Sequence, residues 1–127
     1  MWSCPSFNEL TRDGQDAERY NLLHPTDKPK VPFVSAQLDP YVGPVVASTD
    51  YMKAYAEQIR EYIWSRFVSL GTDGFGRSET RPSLRRHFEI DSECITVGTL
   101  YQLSKKGLIE TSVVADAITK LGIDPEK

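Results

Sequence analysis

The sequence predicts an α/β fold built on a parallel βαβ unit, and three stretches carry that expectation. Val45-Val46-Ala47 is a continuous β-branched and small apolar run behind Gly43-Pro44, the pattern of a strand covered on both faces. Phe67-Val68-Ser69-Leu70 is a second such run. Between them Met52, Tyr55, Ala56, Ile59 and Ile63 recur at helical spacing as one apolar stripe, with Lys53, Glu57, Arg60 and Glu61 off it. Strand, helix and strand in that order make a right-handed crossover with the strands parallel. The glycine-rich loop Gly71–Ser78 then leaves the carboxyl end of a parallel strand, where open α/β sheets place ligand sites or partner contacts.

The remaining elements are taken in chain order. Met1-Trp2-Ser3-Cys4 reads as a piece of strand ended by Pro5-Ser6, since proline lacks the ladder donor and serine can cap the next element. Phe7, Leu10, Tyr20 and Leu23 suggest two irregular helical turns interrupted at Asp13-Gly14. Residues 24–30 form a polar, proline-punctuated connection, and Val31 through Leu38 a short helix with Pro32 in its first turn. Ser48-Thr49-Asp50 supplies side-chain oxygens to cap the crossover helix. Arg81-Pro82 opens a short helix with Leu84 and Phe88 inward and Arg85, Arg86 and Glu89 wet. Asp91-Ser92 caps a longer helix that buries Ile95, Val97, Leu100, Tyr101 and Leu103 and stops at Gly107. The last helix starts near Thr111-Ser112, buries Val113, Val114, Ala117, Ile118 and Leu121, stops at Gly122, and pairs with the one before it. No internal repeat or low-complexity segment interrupts the chain.

Composition narrows the functional classes. A chain of 127 residues with 39% hydrophobic and 26% charged residues is expected to form one domain. Its 15 basic and 18 acidic side chains are well mixed, which supplies no basic stripe for nucleic acid. Neither a membrane span nor a signal-peptide layout is present, so the expectation is a cytoplasmic protein with no membrane partner. Cys4 and Cys94 lack CxxC spacing and fit reduced thiols better than a disulfide or a metal site.

Four side chains stand out as candidates for holding the loop or meeting a partner. Gly71 to Ser78 has the Walker A spacing with Arg77 in the lysine position, but Glu79 to Pro82 delay the helix whose amino terminus should hold phosphate. Arginine also cannot copy the compact ammonium of that motif, so a structural turn is the preferred reading. Asp50 and Asp73 lie just beyond the two strands, where a helix cap and an Asx-turn explain them. His87 has no visible activating partner and reads as a hydrogen-bonded surface or interface histidine. Tyr51, Tyr55, Tyr62 and Trp64 read as core or interface payload. No catalytic, cofactor or metal residue is assigned within the chain.

Several segments taken together resemble the carboxyl-terminal region of the homodimeric, bacterial type of pyruvate dehydrogenase. They are Ser6-Phe7-Asn8-Glu9-Leu10, Leu23-His24-Pro25, Val46 through Lys53, Leu70 through Ser78, and Leu84 through Glu89, continued by Val113 through Ile118. The resemblance implies a transketolase-type carboxyl-terminal domain, a three-layer α/β/α fold with a mostly parallel sheet. It also implies that residues 1–127 are one incomplete domain, lacking its first strand and helix and starting inside a strand. The family is a thiamine diphosphate and Mg2+ enzyme that decarboxylates pyruvate and reductively acetylates a lipoyl group, with its cofactor ligands in other domains. The implied partners are the remainder of the parent enzyme, a homodimer partner and the lipoyl acyltransferase of the complex, and this piece alone is expected to bind no cofactor. Cys4-Pro5 and Arg86 depart from the family pattern, the latter standing where a second histidine is common. The competing reading is an independent α/β module that binds a phosphate-bearing ligand through Gly71–Ser78.

Overall fold

In the computed structural model, which describes residues 1–127, strands Val45–Ser48 (β1) and Phe67–Leu70 (β2) pair in parallel. The register runs from Val45 opposite Phe67 to Ser48 opposite Leu70. The α/β reading holds, with a two-stranded sheet at its centre. Phe67 and Ser69 are buried, whereas Val45, Val46 and Ala47 are only half-buried, not covered on both faces as the apolar run suggested. With two strands in the sheet, β1 has a neighbour on one edge alone.

The crossover departs from the expected long helix. A short helix, Lys53–Glu57 (α3), gives way to a 3-10 turn over Arg60–Tyr62. Arg60 ties this turn to its surroundings: Nε and Nη2 donate to Glu57 at 2.5 and 2.9 Å, and Nη1 donates to the Phe67 carbonyl at 3.0 Å. Ser69 Oγ donates to the same Glu57 carboxylate. The tighter turn still delivers Ala56, Ile59 and Ile63 to the core, while Met52 stays exposed. Ser48-Thr49-Asp50 does not cap this helix, because α3 begins only at Lys53. Its Lys53 N–H donates instead to Asp73 Oδ1 at 3.0 Å, across from the loop after β2.

A single helix, Phe7–Leu23 (α1), runs straight through Asp13-Gly14, with Ser6 Oγ accepting from the Glu9 N–H at its start. Gly14 is a packing residue rather than a break. A Cβ there would run into the Tyr62 ring. The buried face of α1 is therefore small, formed by Thr11, Gly14 and Ala17, and Leu23 is exposed. Asp13 Oδ2 accepts from Phe33 N at 2.5 Å, fixing the helix Phe33–Leu38 (α2), and Ser35 Oγ donates to the Tyr62 carbonyl at 2.6 Å. Val34, Ala56, Ile59, Tyr62, Ile63 and Phe67 form the central apolar cluster. Met1–Cys4 is not a strand: these residues are exposed and unpaired, and Trp2 rests edge-on against Tyr41. Pro5 can offer no ladder donor, and the stretch that precedes it leaves the open edges of the two-stranded sheet unpaired.

The rest is helical: Arg81–His87 (α4), Ser92–Lys105 (α5) and Thr111–Lys120 (α6). Asp91 accepts from the Cys94 N–H at 2.9 Å and caps α5 as expected. Gly107 and Gly122 take the left-handed values φ 71 and φ 62 that end α5 and α6. Val114 is buried as expected, Tyr101 and Val113, also expected inside, are exposed, and Cys94 and Gln102 are buried without having been expected there. The two helices pack against each other, and α5 also packs against β1. No helix is long and apolar enough to cross a membrane.

Candidate functional site

The carboxyl ends of β1 and β2 open onto two adjoining cavities, of about 950 Å³ and about 390 Å³, that share Asp50, Arg81, Arg85 and Ile90. They form one trench between the strand ends, α4 and the start of α5. Asp50 reaches it from the end of β1 and accepts from Arg85 Nη2 at 2.9 Å. Arg86, next on α4, puts Nε 2.8 Å from Asp91 and Nη2 3.8 Å from Glu93, both at the head of α5. Its third nitrogen, Nη1, is buried without any partner. Arg77 and Arg81 also line the trench, and neither forms an ion pair. Burial, then Asp91, pushes the Cys94 thiol up to about 11, so it stays a neutral packing group at neutral pH.

The loop after β2 is stitched to the one after β1. Thr72 N donates to the Tyr51 carbonyl at 2.9 Å, and Thr72 Oγ1 to the Asp50 carbonyl at 3.1 Å. A Cβ on Gly71 would lie 2.6 Å from the Tyr51 carbonyl oxygen, so this glycine permits the two loops to touch. Gly74 is needed for its φ of 94, and Gly76 is unconstrained on both counts. The glycines thus serve packing and backbone geometry, and helix α4 starts only at Arg81, so the loop lacks the arrangement of a phosphate loop.

Of the four candidate positions, the structure brings Asp50 and Arg77 together in the trench and places Asp73 and His87 outside it. Asp73 makes no Asx-turn of its own; it holds the Lys53 amide and lies 3.7 Å from Lys53 Nζ. His87 is half-buried, edge-on to Phe88 at 4.9 Å. Loss of solvent, then the charges of Arg77 and Lys127, hold its pKa below the ordinary imidazole value against the pull of Glu89. Of the four aromatics, Tyr62 is buried, while Tyr51 and Trp64 are exposed. Arg81, Arg85 and Arg86 escaped notice as site residues because Arg81 read as the start of a short helix and Arg85 and Arg86 as its wet face. Three arginines within six residues, succeeded at once by Asp91 and Glu93, were the available signal. No three His, Cys, Asp or Glu side chains converge as metal ligands.

A parallel βαβ core with a polar trench at its carboxyl edge is an α/β domain, and residues 1–91 match the transketolase-like TK C-terminal domain family. The chain belongs to that family. Over its whole length it is 56% identical to the pyruvate dehydrogenase E1 component of Pseudomonas aeruginosa. It is 52% identical to that of Cupriavidus necator and 51% to that of Escherichia coli K12. All of this chain aligns in each case, and it spans 14% of the length of these relatives.

Proposed function

We propose that this chain serves as the carboxyl-terminal part of a pyruvate dehydrogenase (acetyl-transferring) E1 component. In that reading the parent polypeptide, a cytoplasmic homodimer, decarboxylates pyruvate and reductively acetylates the lipoyl group of the complex's acyltransferase. The supporting observation is identity above half, spread over all 127 residues, to a relative named as that component. Thiamine diphosphate and Mg2+ would supply the carbanion chemistry in the parent. The residues here do not fit that cofactor: no acidic or histidine triplet converges, and the glycine loop is closed by contacts to Tyr51 and Lys53. The role left for this stretch is architectural, in the dimer contact or in docking the rest of the complex, with Asp73 and Thr72 holding the loops at the strand ends.

A graft tests the reading. The matching carboxyl-terminal segment of the Pseudomonas aeruginosa relative is replaced by these 127 residues, and pyruvate-dependent reduction of an artificial electron acceptor is measured together with lipoyl acetylation. Retained turnover in both assays is the expected result. A soluble hybrid of parental size that fails both overturns it. The 127-residue chain alone is expected to show neither turnover nor calorimetric binding of thiamine diphosphate with magnesium.

A further inference from the structure

We propose that the loop tip Phe75-Gly76, with Tyr51 and Met52 on the neighbouring loop, is the surface on which an adjoining domain of the same polypeptide seats, offering an apolar recess to the Phe75 ring. The area of the molecule calls for such a cover. The chain exposes 9034 Å² and buries only 17 of its 127 residues. A self-contained monomer of 14.3 kDa exposes roughly 6,800 Å² by the usual scaling with mass. The excess, roughly 2,200 Å², is well above the ~800 Å² that each partner gives to an ordinary interface and matches one side of an obligate one.

Phe75 marks where the cover sits. Its side chain is 97% exposed, more than any other aromatic of the chain, yet it rides on a loop with a fixed base. Thr72 N donates to the Tyr51 carbonyl, and Asp73, two residues before Phe75, holds the Lys53 amide. A phenyl ring on an anchored loop is presented to a partner at little cost in ordering. Gly76 is an independent sign. It has no left-handed φ, and a Cβ on it would meet nothing within 4 Å, so nothing inside the chain calls for glycine there. Close approach of a second surface does. Tyr51 and Met52, both exposed, follow β1 at the same edge of the sheet, and aromatic residues and methionine are enriched in interfaces. Asp73 and Lys53 at the loop base already lie 3.7 Å apart and answer each other, so the tip takes an apolar face rather than a charged one. The occupant is another part of the polypeptide: the chain spans 14% of the length of relatives that match all of it, and an area of obligate size suits a permanent neighbour. The inference rests on the reading of this chain as part of an E1 component and names the surface that its architectural role uses.

The test is hydroxyl-radical labelling read by mass spectrometry on the isolated chain and on the hybrid with the Pseudomonas aeruginosa relative, each normalised to a free phenylalanine peptide. Phe75 is expected to label about tenfold more slowly in the hybrid, because the core of an interface excludes solvent. F75S and G76L are expected to leave the urea midpoint of the isolated chain no lower, since both positions stand clear of the rest of it, while raising the labelling of Tyr51 and Met52 in the hybrid. A lowered midpoint would assign both positions to the chain's own fold and overturn the proposal. Equal labelling of Phe75 in the two proteins overturns it whether or not the hybrid turns over pyruvate. Protection of Phe75 in a hybrid without turnover upholds the surface and leaves the failure with the proposed activity. Protection in the isolated chain that grows with its concentration assigns the face to a second copy and overturns the inference.

Discussion

Around the crossover, all six residues of the central apolar cluster come from the segment between Val34 and Phe67, packed against the small face of α1. Around the trench, α4 is joined to the head of α5 by Arg86 held between Asp91 and Glu93, with only Ile90 and Cys94 buried beside it. One region is specified by shape and the other by paired charge. Shape tolerates salt and resists a change of volume, whereas charge pairs tolerate changes of volume and weaken in salt.

The largest expected effect breaks the shape half. Ile59→Ala removes a side chain only 4% exposed and should cost about 2–5 kcal/mol, read as a lower midpoint in urea with unchanged slope. Gly14→Ala is next: overpacking against Tyr62 costs ~1–3 kcal/mol, offset by ~1 kcal/mol of helix propensity. In a Tyr62→Leu background the same substitution should cease to destabilise, and a persistent loss there would show that the ring is not the obstacle. Asp91→Ala is third, at about 1–2 kcal/mol from the lost α5 cap and Arg86 pairing. Unlike the first two, its cost should shrink in molar salt. The smallest is Asp50→Asn, which removes only a solvent-exposed pair with Arg85 and should leave the urea midpoint unchanged.

Acid and base sharpen the same contrast, because the perturbed Glu57 and Tyr62 of the crossover titrate outside the neutral range. Burial, reinforced by Glu61 and Glu18, pushes the Tyr62 hydroxyl up from 10.0 to about 12. Its stabilisation is complete below the unfolded value and is lost as pH rises from 10.0 towards 12. The hydrogen bond from Arg60 holds the Glu57 carboxyl below its ordinary 4.5, so its contribution is complete above that value and disappears on further acidification. Chemical denaturation across pH should show a plateau between the two limbs. Glu57→Gln should flatten the acid limb, and Tyr62→Phe should remove the upper part of the alkaline one, leaving the part that the raised Cys94 thiol contributes.

Both strands, their parallel order and the two glycine stops of α5 and α6 were legible in the sequence, since apolar runs and left-handed glycines are local signals. The miss at Gly14 was of another kind: a glycine inside a helix reads as a break until the distant Tyr62 is seen lying on it. The capping of α3 by Asp73 was hidden for the same reason, because donor and acceptor sit on different loops. Of the trench lining, Asp50 was singled out for its place after β1 and Arg77 for its position in the Walker A spacing of the loop. The arginines of α4 were passed over because a charged helical face and a charged cavity wall have the same sequence pattern until the opposite wall is known.

The parallel register also bears on how the chain folds. Parallel pairing ordinarily demands distant contacts, but Val45 meets Phe67 after a crossover of only roughly 20 residues, so the closure entropy is small for this topology. We expect the crossover to be the folding nucleus, with high φ-values for substitutions at Ile59 and Phe67. Substitutions at Asp91 should then speed unfolding while leaving the folding rate unchanged. The trench would be the last part of the molecule to assemble and the first to open.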